Sequence, residues 1–323
     1  MLRRAVFFLM ACVIGADASA QTQPGDAVHY WLLDSKGAVS IVLGQFRLTQ
    51  ADIQPDDNAL RIAAADQPRG MYLSLMLKKA PRAGTSAEVR NEWWDKRRPS
   101  PFQLTDVKKS DRGSLALVDY IIPEYQGQAV QQKNVHAFFA AGEVWGELHI
   151  SKVEFKSGDE KLFDSVLETV KLDPDYAPGS RDYFGLGSYF YEKADYGHAA
   201  IYYQQALDEE KQSRSLDSTF WKVLIDNLGI SYGISGNLAR SKSVLEYGIS
   251  VEPKYPLFYY NLACAYAELN DLDNAIVNLK KAFELKSNIL PGEKMPDPAS
   301  DDSFQRYLGN KKFQDALAQL PRS

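Results

Sequence analysis

The sequence predicts an α+β domain built on an antiparallel sheet, followed by an all-α stack of helix pairs. Three observations predict this. Between Val28 and Phe155 apolar residues alternate with a period of two, the pattern of strands with one buried face. From Arg181 to Lys286 apolar residues fall at helical spacing, in paired stripes broken by turn residues. The paired stripes also recur: Gly229 and Ala263 hold the same place in successive pairs, 34 residues apart.

The chain opens with MLRRAVFFLMACVIGADASA. Arg3 and Arg4 precede an apolar run, Ala5 to Ala16, and Ala18-Ser19-Ala20 is a small-x-small cleavage pattern. Residues 1–20 therefore read as a bacterial secretory signal, which places the mature protein in the periplasm or outside the cell. The apolar run is short for a membrane span. Leu9-Met10-Ala11-Cys12 also fits a lipobox, so the alternative is a lipoprotein acylated on Cys12. Cys12 and Cys264 are the only cysteines. Cleavage leaves Cys264 alone in a helix, as a small apolar residue with no disulfide to form.

Residues 21–173 read as the α+β domain. Strands are expected at Val28–Leu33, Ala38–Leu43, Leu60–Ala64, Gly70–Lys78, Leu115–Ile122, Asn134–Ala140 and Val144–Phe155. Asp34-Ser35-Lys36-Gly37 and Ala141-Gly142 supply turns between neighbours. Helices are expected at Ser86–Arg97, stopped by Pro99, and at Asp159–Lys171. From Arg112 to Leu172 the order is three strands and a terminal helix ending FDSVLETVKL. This pattern resembles Mog1/PsbP-like domains, including the DcrB group. The resemblance implies a role in assembly or binding and carries no catalytic residues.

Two features of this half carry chemistry. With an Ala141-Gly142 turn, His136 faces Glu147, Phe138 faces Trp145, and His149 joins them on the same sheet face. Two imidazoles and a carboxylate can hold a metal or orient a base. They can equally be a cross-strand pair that steadies the sheet by fractions of a kcal/mol. The second feature is Trp93-Trp94. On a helix they lie about 100° apart, so one packs on the sheet and the other is a partly exposed binding anchor beside Arg97 and Arg98. His29 has no evident partner, and His198 opens a helix as a surface residue. Gly185-x-Gly187 lacks the third glycine and the preceding strand of a dinucleotide site.

The repeats carry the strongest signal. Leu262, Ala263, Tyr266, Ala275, Leu279 and Ala282 form one unit. Leu228, Gly229, Tyr232, Leu245 and Pro253 form a second, with Ser241 and Gly248 where small apolar residues are usual. Leu186, Gly187, Phe190, Ala199, Tyr203 and Ala206 form a third copy, upstream, with extra residues near Lys211–Asp217. The positions and spacing resemble tetratricopeptide repeats. The resemblance implies three repeats over residues 181–287 and a concave groove lined by the first helix of each pair. The lining would be Phe184, Ser188 and Tyr191, then Asp226, Ile230 and Gly233, then Tyr260, Cys264 and Ala267. Members that clamp a C-terminal carboxylate use cations there; this chain has Asn227 and Asn261 one position away and no cation. The groove therefore suits an extended peptide or partner helix with apolar anchors. Residues 288–323 read as a linker and a capping helix, and this C-terminal end is the alternative occupant of the groove.

With 37 Lys and Arg against 42 Asp and Glu, the net charge of −5 argues against nucleic acid as a partner. The chain has no Gly-x-Ser-x-Gly, His-Glu-x-x-His, P-loop or Cys-x-x-Cys. No catalytic residue, metal site or cofactor is therefore assigned. The expectation is a non-enzymatic protein–protein interaction module, a scaffold or adaptor of the cell envelope. The alternatives are a metal-dependent or acid–base enzyme using His136, Glu147 and His149, or a small-ligand carrier.

Overall fold

A computed structural model describes residues 27–32, 35–54, 59–96 and 102–321. The leader with Cys12, the turn residue Asp34, and Arg97, Arg98 and Pro99 lie outside the described residues. The chain divides into two units between Pro178 and Gly179.

Strand alternation builds the first unit. Its main sheet joins β3 (Arg47–Gln54), β4 (Ala59–Asp66), β5 (Met71–Lys79), β6 (Thr105–Arg112), β7 (Leu115–Tyr125), β8 (Gln128–Ala141) and β9 (Val144–Lys152) in the order β3-β4-β5-β9-β8-β7-β6. Every pairing in it is antiparallel. A second sheet joins β1 (Ala27–Trp31), β2 (Ala38–Val42) and β10 (Lys171–Asp173), also antiparallel. On one face of the main sheet Leu73, Leu75, Leu77, Ala137, Leu148 and Ile150 are buried. On the other lies α1 (Ser86–Trp93), whose Val89 packs with Ala116, Val118, Tyr120, Phe138 and Trp145.

Two expectations here are corrected. The α2 helix covers only Glu160–Leu167, because Lys171–Asp173 pairs with β2 instead of continuing it. The hairpin turn is Gly142-Glu143, with Ala141 opposite Val144. Gly142 takes φ 58°, a conformation glycine adopts without a Cβ penalty. The register is thus two residues from the expected one. His136 faces His149, and Phe138 faces Glu147. A shift of two keeps every side chain on its own face, whereas a shift of one would have inverted them.

Helix pairs build the second unit: α3 (Ser180–Glu192) with α4 (Tyr196–Gln212), α5 (Ser218–Ile234) with α6 (Leu238–Val251), and α7 (Pro256–Glu268) with α8 (Leu272–Glu284). Each first helix ends on one left-handed residue at the same place in its pair: Ala194, Gly236 and Asn270, with φ 58°, 82° and 63°. The next residue caps the second helix. Asp195, Asn237 and Asp271 each accept a backbone N–H from three residues on.

The two atypical residues of the middle repeat have local reasons. Ser241 is 3 % exposed and donates its hydroxyl to the Gly229 carbonyl at 2.7 Å, so its polar atom is satisfied across the helix pair. At Gly248 a Cβ would come within 2.6 Å of Ile225 Cγ2, closer than packed atoms allow. The extra residues of the first repeat lengthen α4 and form a loop. Glu210 organises that loop, accepting bonds from Ser180 Oγ, Ser215 N and Leu216 N through Oε1. After α8 the chain runs irregularly to a 3-10 turn, Asp302–Tyr307, and ends in α9 (Lys311–Ala318). Among the described residues no helix is long and apolar enough to cross a membrane.

Candidate groove and hairpin cluster

The first helices of the pairs carry the residues expected to line a groove, and the structure sorts them into two groups. Ser188, Tyr191, Ile230 and Gly233 are half-buried. Phe184, Asp226 and Tyr260 are buried, at 5 %, 7 % and 1 % exposure. Phe184 is enclosed by Tyr203 and Phe220. Ser188 accepts the Tyr203 hydroxyl at 3.1 Å, and that hydroxyl accepts Asn227 Nδ2 at 3.1 Å.

Tyr260 is covered by the chain's own C-terminal segment. Its hydroxyl donates to Asp301 Oδ2 at 3.0 Å, and its ring meets Phe304 edge-on with 6.2 Å between ring centroids. Cys264 Sγ lies 3.9 Å from the same carboxylate oxygen. Tyr307 closes over the end of α7, donating to the Ala267 carbonyl at 3.0 Å. Arg306 reaches Glu268 at 2.5 Å and Asn270 at 3.1 Å on the rim. At the start of α7 the Tyr255 hydroxyl lies 2.9 and 2.8 Å from the two oxygens of Glu293. Of the two expectations for the third repeat, the one in which the C-terminal end fills it is the arrangement seen. Tyr260 as an open anchor is not, because an aromatic ring this large lowers the free energy most when fully covered.

Asp226 sits where the second and third repeats meet. Its Oδ1 accepts Asn261 Nδ2 at 2.7 Å. Burial pushes its pKa up to about 7; the Asn261 bond opposes this, and the charge of Glu293 adds to it. Burial likewise raises Glu293. Tyr191 is raised by burial and then by the nearby charge of Asp226, which places it beside the same acid. Burial also raises Cys264, so its thiol stays protonated and weakly nucleophilic. The pairing of Tyr255 with Glu293 and of Tyr260 with Asp301 is not legible in the sequence, because a carboxylate in a Pro- and Gly-rich stretch has no periodicity to report its partner.

The hairpin residues do come together, as a stacked network. His136 Nδ1 lies 2.6 Å from Glu147 Oε1, and its Nε2 lies 3.1 Å from the Tyr120 hydroxyl. His149 Nε2 lies 3.0 Å from Asn134 Oδ1. The two imidazoles stack at 4.1 Å, 6° from parallel. His136 and Glu147 are 4 % and 6 % exposed, so the cross-strand partners form a buried network. Losing such a bond costs more than the fractions of a kcal/mol of an exposed pair, on the order of 2 kcal/mol. Both ring nitrogens of His136 are engaged, and no cluster of three His, Cys, Asp or Glu with metal-holding geometry occurs among the described residues. Trp94 lies over this network, 5.3 Å from His136 and 5.5 Å from Tyr120. Trp93 and Trp94 are both half-buried against the α1 cluster. Trp94 caps the helix in helical geometry, with its N–H on the Arg90 carbonyl, and both rings find partial cover instead of one packing and one standing open. His29 stacks on Tyr176 at 5.5 Å.

Comparisons with known proteins bear on the second unit. The tetratricopeptide repeat profile matches residues 257–289, the α7–α8 pair and the turn after it. No curated protein matches the chain. Solved structures similar to it include PcrH in complex with the chaperone binding region of PopB, at 19 % identity over 39 % of this chain and 90 % of that one, TM-score 0.30. The Sgt2 tetratricopeptide domain of Aspergillus fumigatus matches at 21 % identity over 46 % and 88 %, TM-score 0.32. The first such domain of Spaghetti, bound to an HSP90 peptide, matches at 18 % over 43 % and 93 %, TM-score 0.32. Likenesses of this size carry no inference about function.

The buried acid makes a pH prediction. Folding raises the Asp226 pKa from its ordinary 3.8 to about 7, so the native state holds the proton more tightly than the unfolded chain. The stability this gives is fully present below about pH 4 and is lost as pH rises through about 7. Three pKa units correspond to roughly 4 kcal/mol. Asp226→Asn keeps a hydrogen-bonding partner for Asn261 and removes the ionisation. Thermal melts should therefore show the variant gaining on the wild type between pH 5 and 8.5. A constant difference across that range would mean that Asp226 titrates normally.

Proposed function

We propose that the chain is a protein-interaction module whose helix pairs receive an extended peptide segment of a partner. The observation that carries this reading is the groove-facing strip of the first two repeats. There Ser188, Tyr191, Ile230 and Gly233 remain half-buried; in the third repeat Cys264 is half-buried too, while Ala267 is fully covered. Tyr191 and Ile230 offer rigid apolar area with little rotamer entropy to lose. Asn227 and Asn261, one position away, carry the donors and acceptors that an extended backbone requires. The repeat match over residues 257–289 supports the same reading. The first unit, with its resemblance to Mog1/PsbP-like domains, would act as a second binding or assembly element. The hairpin network supports it as structure more than as chemistry, since its imidazole is held between Glu147 and Tyr120.

A photo-crosslinking amino acid placed at Tyr191 or Ile230 should trap a partner in cells, and one at Val277, which is 63 % exposed, should not. Tyr191→Ala should weaken capture by a crosslinker at Ile230 about tenfold or more without lowering the melting temperature by many degrees. Equal adducts at all three positions would remove the groove as the binding surface.

We also propose that the module is exported, on the strength of the leader ending at Ala20. N-terminal sequencing of the cell-produced protein should begin at Gln21, in a soluble periplasmic or secreted fraction. Detergent-phase partitioning abolished by Cys12→Ser would establish the lipoprotein instead, and an intact leader in the cytoplasm would refute both.

A further inference from the structure

The segment after α8 makes contacts of a particular kind. Between Asn288 and Asp301 it forms no helix or strand. Its backbone bonds are local: Glu293 N to the Leu290 carbonyl and Ser300 N to the Asp297 carbonyl. Pro291, Gly292, Lys294, Asp297, Ala299 and Ser300 are exposed. What fastens it to α7 is a short series of side chains. Two tyrosine hydroxyls meet two carboxylates eight residues apart, Tyr255 with Glu293 and Tyr260 with Asp301. One aromatic ring, Phe304, is fully enclosed between Tyr260 and Phe313. Arg306 then holds the rim. Irregular backbone that turns twice, a few anchoring side chains and one deep aromatic are a way for a groove to hold a peptide from another protein.

We propose that residues 289–307 are an internal ligand of the groove, and that the third repeat accepts from a partner an extended acidic segment with an aromatic anchor, which displaces it. This rests on the reading of the helix pairs as a peptide groove. The chemistry of the occupant follows from the receptor face. Tyr255 and Tyr260 are both buried and present hydroxyl donors, which a carboxylate satisfies more strongly than a neutral acceptor. Cys264 and Ala267, farther along α7, leave room for an aromatic ring beside Tyr260. The resident segment is held imperfectly at one point: Glu293 shares its surroundings with the Asp226 carboxylate on α5. Lys222 is the cation that acts on Glu293, and Tyr191, Tyr255 and Asn261 are the other polar groups facing Asp226. Two acids in one buried site favour release of the mobile partner over the helical one.

The test uses the whole chain with a specific protease site inserted between Gly292 and Glu293. Gly292 has φ 88° and open space around it, so an inserted loop has room there and opens only the local Leu290–Glu293 turn. After cleavage, with both fragments still present, a fluorescently labelled synthetic peptide of residues 293–321 is added. Its anisotropy and the helical circular dichroism are followed together. The labelled peptide should exchange into the cut protein with unchanged helicity, and should bind the uncut protein only at much higher concentration, because there the tethered segment competes. A peptide carrying Glu293→Gln and Asp301→Asn should compete at least tenfold less well. Tyr255→Phe with Tyr260→Phe in the protein should weaken exchange by a similar factor. No exchange with complete cleavage, or exchange accompanied by loss of helicity, would make the segment an ordinary part of the core. Equal competition by the peptide carrying Glu293→Gln and Asp301→Asn would overturn the acidic specificity. Binding to the uncut protein as tight as to the cut protein would place the site elsewhere. The crosslinks at Tyr191 and Ile230 do not depend on the segment, so either reading can fail without the other.

Discussion

A tyrosine that is 1 % exposed stabilises the fold by giving its hydroxyl an acceptor, since an unpaired buried polar group costs on the order of 1–3 kcal/mol. Tyr260 is in that position, and Asp301 supplies the acceptor. Much of the second unit follows from this one requirement. Asp301 fixes where the chain returns after α8. That return brings Phe304 against Tyr260 and seats Phe313 of α9 on Phe304 at 5.5 Å. The last repeat, which has no following repeat to cover it, is closed by these rings. A stack of helix pairs needs such an ending, because each pair leaves an apolar face for the next. Here the closure extends onto the groove side of α7 as well, and that extension turns a cap into an occupant.

The first unit solves a different problem. Its central strands are buried on both faces, so the polar residues that fall there need partners within the sheet. His136, Glu147, Tyr120, Asn134 and His149 satisfy one another across β7, β8 and β9, with Trp94 as a lid. A network of this kind specifies register, since sliding any strand by one residue would bury several groups unpaired.

What the sequence revealed follows physical lines. The repeats were legible because close approach of two helices demands small residues at fixed places, and Gly187, Gly229 and Ala263 mark them. The central strands were legible through alternation. β3 and β6 were missed because they are the two edges of the main sheet. An edge strand pairs on one side only and keeps polar residues outward, and RLTQADIQ and TDVKKSDR have little alternation to read. The hairpin register was two residues off, yet the shared face survived because the strand period is two. The site was less legible. Phe184, Ser188, Tyr191, Asp226, Ile230 and Tyr260 were placed on the groove side from repeat position alone. Their exposure depended on a distant segment whose carboxylates look like solvated surface.

The most direct measurement is amide hydrogen exchange on the intact protein at neutral pH. It compares residues 290–307 with residues 258–267 of α7. The account treats the segment as a resident held by a few side chains on a helix that is stable beneath it. It predicts that the segment opens locally, exchanging on the order of a hundredfold faster than α7 while α7 keeps the protection of the whole unit. If the two lose protection together, at the same rate and with the same denaturant dependence, the segment and α7 form one cooperative core and no partner enters that part of the groove.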